Sequence, residues 1–208
     1  MPKTASPVVR RALIERAAEL LSRREPVTLR SLLEGTGAST MAVYTHFNGM
    51  PGLWRAVRQE GFTRLAAELA TVKPTRDPVR DLVAYGAAYL SNALAQPDLY
   101  RAMFDASADL EDPQAADASF EVLVTCCSRA RRLGRFAEQS DPEAVATQFW
   151  ATGHGLVMLV LNGVLPPIAL TDHLPSIATA LFLAAGDDAD RCQRSVRAGW
   201  RSYHLFGV

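Results

Sequence analysis

The stretch STMAVYTHFNGMPGLW places several hydrogen-bonding side chains in a single turn. Tyr44, Thr45 and His46 carry hydroxyl and imidazole groups, which are suited to donating hydrogen bonds to phosphate oxygens. Val43 and Phe47 are four positions apart, so in a helix they share one face and point inward. The spacing therefore predicts a short helix with one apolar face and one face that meets an anion.

Two further short helices precede this turn. The first begins at Pro7 with apolar residues at helical spacing, and the second is capped by Thr28 and followed by Gly37, which tolerates positive φ. The third is capped by Ser39 and ends at Asn48. A glycine turn between the second and third helices predicts a helix-turn-helix unit, in which the third helix enters the major groove of DNA.

The chemistry of these side chains suggests separate roles in such an interface. Thr40 can donate and accept hydrogen bonds at base edges, and Met41 can contact a thymine methyl group. Thr28 lies at a helix N-terminus, which attracts anions, and Arg30 can reach phosphate or guanine. We therefore predict DNA contacts from Thr28, Arg30, Ser39, Thr40, Met41, Tyr44, Thr45 and His46.

The charge of the chain is uneven along its length. The formal net charge is zero over 208 residues, but residues 1–60 contain nine Lys and Arg and five Glu, a net charge of +4. The remainder carries −4. This asymmetry is typical of a nucleic-acid-binding end attached to a body with another task, although a solvated helix face would also account for four charges.

Helix signals dominate the rest of the chain, and no alternating strand pattern is evident. Ser140-Asp-Pro-Glu143 is interpreted both as a capping box and as a cap, Asp141, with a proline behind it at the start of an eighth helix, and Pro166-Pro167 ends that helix. The predicted fold is all-α, with a helix-turn-helix DNA-binding domain over residues 1–50 and a helical ligand-binding and dimerisation domain over residues 51–208. The later helices are expected over about 51–72, 77–96, 97–106, 112–132, 141–165, 171–185 and 187–203.

The segment RRALIERAAELLSRREPVTLRSLLEGTGASTMAVYTHFNGMPGLWRAV resembles the N-terminal domain of TetR family transcriptional regulators over roughly residues 10–57. The resemblance is carried by the Ala-rich first helix, by Thr28, Gly37 and Ser39, and above all by the Tyr44-x-His46-Phe47 run. It implies a homodimer that binds a palindromic double-stranded DNA operator. It also implies that helices eight and nine pair across a two-fold axis, and that helices four to eight surround an inducer pocket.

The sequence departs from the family pattern at several positions. The family usually has lysine followed by an acidic residue where Met50-Pro51 stands, and small residues where Leu33 and Met41 stand. That lysine typically holds a phosphate at the start of the fourth helix. We therefore expect either weaker phosphate anchoring or compensation from an N-terminal arm that carries Lys3, Arg10 and Arg11.

In the C-terminal half, FWATGHG at residues 149–155 resembles the Trp-x-x-x-His-Gly pattern of one TetR subgroup. Trp150, His154 and Met158 fall on one helix face, either as the wall of a ligand pocket or as an ordinary core stripe with a satisfied histidine. The candidate pocket residues, for which core packing is the alternative interpretation, are Tyr85, Tyr89, Met103, Phe104, Phe120, Trp150, His154 and Met158.

Several other classes of protein are disfavoured. No nucleophile–base pair, Gly-rich phosphate loop or metal-ligand spacing is found, so we expect neither an enzyme nor a cofactor or metal. The histidines, including His173 and His204, are scattered, and Cys126-Cys127 are interpreted as buried, inert thiols of a cytoplasmic protein. The most apolar run, 155–165, is about half the length of a membrane span, so we expect no membrane association.

These observations lead to one functional prediction with one alternative. The prediction is a ligand-responsive transcriptional regulator, a repressor that a small-molecule inducer releases from a palindromic operator. The alternative is a helical small-molecule-binding protein with a degenerate DNA-binding head, which is motivated by Met50-Pro51.

Overall fold

The structure is a computed structural model, and it describes residues 6–23, 25–104 and 110–201. Within these residues the chain forms ten α-helices and no strand, so the predicted all-α fold class is confirmed. The helices are α1 Pro7–Ser22, α2 Leu29–Leu33, α3 Thr40–Phe47, α4 Met50–Leu69, α5 Pro78–Ala95, α6 Pro97–Met103, α7 Gln114–Arg132, α8 Pro142–Leu161, α9 Ile168–Ala184 and α10 Ala189–Arg201.

The chain divides into two compact units. Unit 1 comprises Met1–Arg64 and Gln96–Ala116, and unit 2 comprises Leu65–Ala95 and Asp117–Val208. Unit 1 therefore contains α6 as well as α1–α3 and most of α4. The division of function at residue 50, with DNA binding before it and ligand binding and dimerisation after it, remains a prediction.

The core of unit 1 is built around α1. Leu13 and Ile14 of α1 are fully or almost fully buried, and they belong to one apolar cluster with Val43 of α3 and Leu53 of α4. The same cluster includes Leu99 of α6, because α6 packs along α1. The buried face of α3 is thus held by several elements of unit 1, which leaves its other face for contacts outside the unit.

Unit 2 is organised around α5, which packs mainly on α10 and also on α8. The contact with α10 is close, since a Cβ atom on Gly199 would lie 2.5 Å from the carbonyl oxygen of Arg80. A second apolar cluster fills this unit and includes Leu82, Cys127 and Phe182. Glycine at position 199 is therefore required by helix packing.

A buried polar cluster ties α5, α10 and the turn after α7 together within unit 2. Arg135 is almost completely buried, and its guanidinium contacts Asp187 Oδ1 and Oδ2 at 2.8 and 2.7 Å, and Asp77 Oδ1 at 2.6 Å. The hydroxyl of Ser195 donates to Asp77 Oδ2 at 2.6 Å and lies 3.0 Å from Arg135 Nη2. Each buried charge therefore has an opposite charge and hydrogen bonds, which buried ions require for stability.

Most predicted helix boundaries are confirmed to within about three residues, and the differences have local causes. At the start of α8 the capping residue is Asp141, whose side chain accepts a hydrogen bond from the Glu143 amide at 3.0 Å. The proposed capping box is therefore wrong, since the Ser140 hydroxyl donates instead to the Ala137 carbonyl. Helix α9 begins at Ile168, directly after Pro167, and it continues through Pro175. The predicted ends of α6 near residue 106 and of α10 near residue 203 lie outside the described residues.

Candidate nucleic-acid interface and effector site

The turn that leads into α3 is built by local hydrogen bonds and glycines. The Thr28 hydroxyl accepts from the Ser31 amide at 3.1 Å, while the Ser31 hydroxyl accepts from the Thr28 amide at 2.9 Å. The predicted cap of α2 is thereby confirmed, with serine at the third position of the capping box. Gly35 and Gly37 follow with φ of +77° and +65°, which side-chain-bearing residues adopt rarely.

The two faces of α3 have opposite characters. Val43 and Phe47 are buried in the core of unit 1, whereas Met41 is 70% exposed and Tyr44 is 55% exposed. A row of polar side chains lies on the same outer part of the helix, because Ser39, Thr40 and Thr45 are also exposed. The structure therefore brings most of the predicted DNA-contacting residues to one accessible surface of unit 1.

Three predicted contact residues differ in their immediate surroundings. Ser39 occupies the N-cap position of α3, but its side chain makes no capping hydrogen bond. The Thr45 hydroxyl donates to the Met41 carbonyl at 2.8 Å, so it is satisfied within the helix. The His46 ring is only partly exposed and lies 5.9 Å from the Phe47 ring centroid. Of the three, Thr45 is therefore the residue whose side chain is already engaged by a hydrogen bond within α3.

The junction between α3 and α4 depends on Gly52, for which no role was predicted. Asn48 adopts a left-handed conformation with φ of 56°, and Gly49 follows with φ of 101°. A Cβ atom on Gly52 would lie 1.7 Å from the Phe47 carbonyl oxygen, a separation that atoms cannot adopt. The first turn of α4 therefore crosses directly over the end of α3.

The structure describes only part of the N-terminal arm that was predicted to compensate for the missing lysine at the start of α4. Arg10 Nη2 lies 3.5 Å from Glu111 Oε2, and its guanidinium lies 5.5 Å above the Phe47 ring. Arg10 is therefore partly engaged within unit 1. Arg11 is exposed, whereas Lys3 lies outside the described residues.

In unit 2, three of the candidate pocket residues form a polar contact group. The Trp150 indole Nε1 donates to the Tyr89 hydroxyl at 3.2 Å, and that hydroxyl lies 3.0 Å from His154 Nδ1. The Trp150 ring also meets Phe120 edge-on, with 6.1 Å between ring centroids. Burial lowers the pKa of His154, which favours a neutral imidazole at pH 7. This group combines an aromatic wall with polar atoms, as small-molecule sites do.

The remaining candidate pocket residues have other surroundings. Tyr85 packs against the apolar cluster of unit 2, and burial raises the pKa of its hydroxyl. Met158 is half-buried. Met103 and Phe104 belong to unit 1, where Met103 is fully buried and would lie 2.1 Å from a Cβ atom on Gly61. The Phe104 ring meets Tyr100 and Phe62 in the same unit, so both residues take part in packing there.

Two other predictions concern groups outside these sites. Cys126 and Cys127 are buried, and burial raises the pKa of each thiol to about 12, so neither is a thiolate at pH 7. No cluster of metal-binding side chains occurs among the residues that the structure describes. The arginines near the end of α7 serve more than the helix dipole, because Arg129 binds the buried Asp81 at 3.1 Å and Arg135 binds Asp77 and Asp187.

The structure thus defines an all-α protein with a helix-turn-helix in one unit and a helical bundle in the other. Residues 82–182 match the family model described as Tetracyclin repressor-like, C-terminal domain. An uncharacterized HTH-type transcriptional regulator of Mycobacterium tuberculosis is 26% identical over 161 residues, which cover 76% of this chain and 73% of that protein.

Solved structures of other proteins share this fold. The TetR family protein CprB from S. coelicolor superposes with a TM-score of 0.71 at 22% identity, covering 93% of this chain and 96% of CprB. A gamma-butyrolactone receptor described as ArpA-like gives a TM-score of 0.70 at 20% identity, covering 93% and 95% of the two chains. Together these similarities establish the TetR-type fold and support a TetR family regulator.

Proposed function

We propose that this protein is a ligand-responsive DNA-binding transcriptional regulator, a repressor that a small-molecule inducer releases from a palindromic operator. The observation that carries the proposal is the outer face of α3, where Met41 and Tyr44 are exposed while Val43 and Phe47 of the same helix are buried. Met41 and Tyr44 are three positions apart, so the apolar side chain and the aromatic ring are neighbours on this exposed face of the helix. A DNA groove and its backbone fit this mixture of methyl, hydroxyl and aromatic groups.

Within this proposal the predicted contact residues divide by chemistry. Thr40 and Met41 lie in the first turn of α3, where a recognition helix approaches base edges. Tyr44 and His46 lie one turn later and are assigned to phosphates, which fix register without reading sequence. Thr28 and Arg30 at the start of α2 are assigned to the backbone of the same half-site.

We assign dimerisation to α8 and α9. Several large apolar side chains of unit 2 are exposed on α8, on α9 and in the turn between them: Leu159, Val164, Ile168 and Leu183. Gly155 of α8 is also exposed, and a Cβ atom there would meet nothing within 4 Å. The chain itself therefore does not require glycine at this position, whereas a second copy of α8 packed closely against it would.

The same exposed α8 has a competing interpretation. Among the described residues, Pro142–Leu161 is the one helix whose length and composition would suit a membrane span. Length and composition alone do not distinguish a membrane span from an apolar helix of a water-soluble protein, because the core helix of such a protein passes the same test. Pairing with a second copy accounts for its exposure in a DNA-binding protein, so we propose a cytoplasmic homodimer.

We propose that the effector binds beside Trp150, Tyr89 and His154. The aromatic rings suit an apolar body, and the hydrogen-bonded hydroxyl and imidazole suit at least one polar atom of the ligand. The Trp150-x-x-x-His154-Gly155 pattern is consistent with the TetR subgroup that carries Trp-x-x-x-His-Gly, and membership of that subgroup is part of this proposal. An effector that favours the DNA-free conformation by ~100-fold would shift operator affinity by about 2.7 kcal/mol.

The experiment is selection of duplexes from a random-sequence library by the full-length protein, followed by binding measurements across a salt series. A regulator is expected to select a palindromic sequence, and its affinity should fall steeply as salt rises, because phosphate contacts release counterions. A degenerate head, the second candidate motivated by Met50-Pro51, would select no common sequence. The same protein would then still bind a small molecule in unit 2.

A further inference from the structure

Most of the arginines in unit 1 are already engaged by oxygen atoms of the same unit. Arg16 and Arg23 lie 2.8 and 2.7 Å from the two carboxylate oxygens of Glu19. An arginine held in this way has its guanidinium donors occupied and its position fixed, so it is less available to an external partner. The other engaged pairs are Arg10 with Glu111, Arg58 with the Met103 carbonyl, Arg64 with Glu15 and Glu60, and Arg101 with Asp98.

Three arginines of unit 1 differ from this pattern. Arg11, Arg30 and Arg55 are exposed, and within the described residues of the unit none of them forms an ion pair or a side-chain hydrogen bond. Among the described arginines of unit 1, these three therefore have guanidinium donors available to an external partner. Arg30 was assigned to DNA above and Arg11 belongs to the proposed arm, but Arg55 has no role in either assignment.

The position of Arg55 relates it to the recognition helix. Helix α4 starts at Met50, directly after the two-residue turn that ends α3. A Cβ atom on Gly49 would lie 3.8 Å from Tyr44 Cε1, so the start of α4 lies beside the exposed Tyr44 ring. Pro51 and Arg55 are four residues apart and both are exposed, so they share one outer face of α4, about 6 Å apart along the helix axis.

The first turn of α4 carries no charged side chain that could hold a phosphate. It consists of Met50, Pro51, Gly52 and Leu53, and no acidic residue is present in it. The helix N-terminus still attracts an anion through its backbone amides, but Pro51 supplies no N–H. The nearest arginine along the exposed face of α4 is Arg55, at its second turn.

We propose that Arg55 binds a phosphate of the operator backbone next to the one approached by Tyr44. This proposal rests on the proposed function and adds a contact residue on α4 to those on α2 and α3. A guanidinium donates two parallel hydrogen bonds to phosphate oxygens, and such a contact carries no sequence information. Removing the charge should therefore weaken binding to every duplex alike.

The test compares the wild-type protein with Arg55→Gln, Arg55→Lys and Arg23→Gln. Arg23 is the matched control, because it is an exposed arginine of the same unit whose guanidinium is already paired with Glu19 at 2.7 Å. Each variant is titrated by fluorescence anisotropy against a duplex that the wild-type protein selects from a random library, and against a scrambled duplex, at several salt concentrations. Thermal unfolding of each variant checks that the fold is retained.

The expected result is a change in the salt dependence. A lost phosphate contact reduces the slope of log K against log salt by about 0.9, so a dimer that loses two contacts should show a reduction of about 1.8. At 0.1 M salt this corresponds to a roughly 60-fold weaker complex with Arg55→Gln. Arg55→Lys should retain most of the wild-type slope, and Arg23→Gln should match the wild type on both duplexes.

Three results would overturn the proposal, and they are distinguishable. If the wild-type protein selects a duplex but Arg55→Gln keeps the wild-type slope, then Arg55 does not contact phosphate and the proposed function still holds. If Arg23→Gln lowers the slope as much as Arg55→Gln does, then the effect reflects the net charge of the unit. If the wild-type protein binds no duplex, the proposed function fails and the assignment of Arg55 fails with it.

Discussion

Replacement of Arg135 by alanine should destabilise unit 2 more than removal of any neighbouring arginine. The Arg135 side chain is 6% exposed, and the Asp187 side chain that it contacts through two hydrogen bonds is 0% exposed. In the variant, Asp187 would retain one arginine at 3.7 Å, Arg191, whose own side chain is 45% exposed. A buried carboxylate would thus lose its principal counter-charge.

The size of the effect follows from this geometry. Breaking a buried ion pair by removing one partner costs about 3–5 kcal/mol, because the remaining charge stays in a low-dielectric environment. Whole proteins are stable by only about 5–15 kcal/mol, so the variant should lose a large fraction of its free energy of unfolding. The contacts from Arg135 to Asp77 and Ser195 are lost as well, so we expect the upper part of the range.

The assay is urea unfolding of the full-length protein at a fixed protein concentration, because dimerisation contributes to the measured stability. Arg131→Ala is the matched control, since Arg131 is exposed and makes one hydrogen bond, to the Ser140 carbonyl at 3.2 Å. Its loss should cost no more than about 1 kcal/mol. If the free energies of unfolding of Arg135→Ala and Arg131→Ala differ by less than about 1 kcal/mol, the account of the buried cluster is wrong.

The same cluster predicts a dependence on pH. Burial opposes ionisation of Asp77, but hydrogen bonds from Ser195 and the Arg80 amide, and the charge of Arg135, outweigh it and lower the pKa of Asp77. A carboxyl whose pKa is lowered by folding stabilises the protein above its unfolded pKa of about 3.9, and this stability is lost as the pH falls through the folded value. Without Arg135, unfolding free energy should fall less steeply below about pH 4 than in the wild type.

Five further variants test the proposed sites. Tyr44→Phe and His46→Ala should weaken binding to selected and scrambled duplexes by equal factors, whereas a change in preference would assign them to bases. Thr40→Ala should change which duplex the protein selects, and an unchanged selection would reject it as a base reader. Gly52→Ala should unfold at lower urea concentration and lose DNA binding, because its Cβ atom would overlap the Phe47 carbonyl; wild-type stability would contradict the α3–α4 geometry. Trp150→Ala should alter the response to an effector or the stability of unit 2 without changing the DNA contacts of unit 1, and full stability with an unchanged ligand profile would reject the pocket assignment.

The features that were predicted correctly have causes within a few residues of sequence. The caps at Thr28 and Asp141 and the positive φ of Gly37 depend on hydrogen bonds and backbone preferences that neighbouring residues determine. The buried and exposed faces of α3 follow from the four-residue spacing of Val43 and Phe47. Local chemistry of this kind can be recognised without knowledge of the tertiary fold.

The features that were missed depend on residues distant in sequence or on close packing. The ion pairs of Arg135 were not predicted, because its carboxylate partners Asp77 and Asp187 are 58 and 52 residues away. No periodicity relates such positions, because only tertiary packing brings them together. The requirement for glycine at position 52 was also missed, since it depends on where α4 crosses the Phe47 carbonyl. Whether the predicted contact and pocket residues bind their ligands remains a prediction.

The measurement that tests the central claim most directly is a hydroxyl-radical footprint of the full-length protein on a duplex that it selects. If the outer face of α3 is presented twice by a homodimer, two protected regions should appear about one helical turn apart, roughly 34–36 Å between centres. Both regions should weaken together in Tyr44→Phe. A single protected region, or no protection on any selected duplex, would contradict the account.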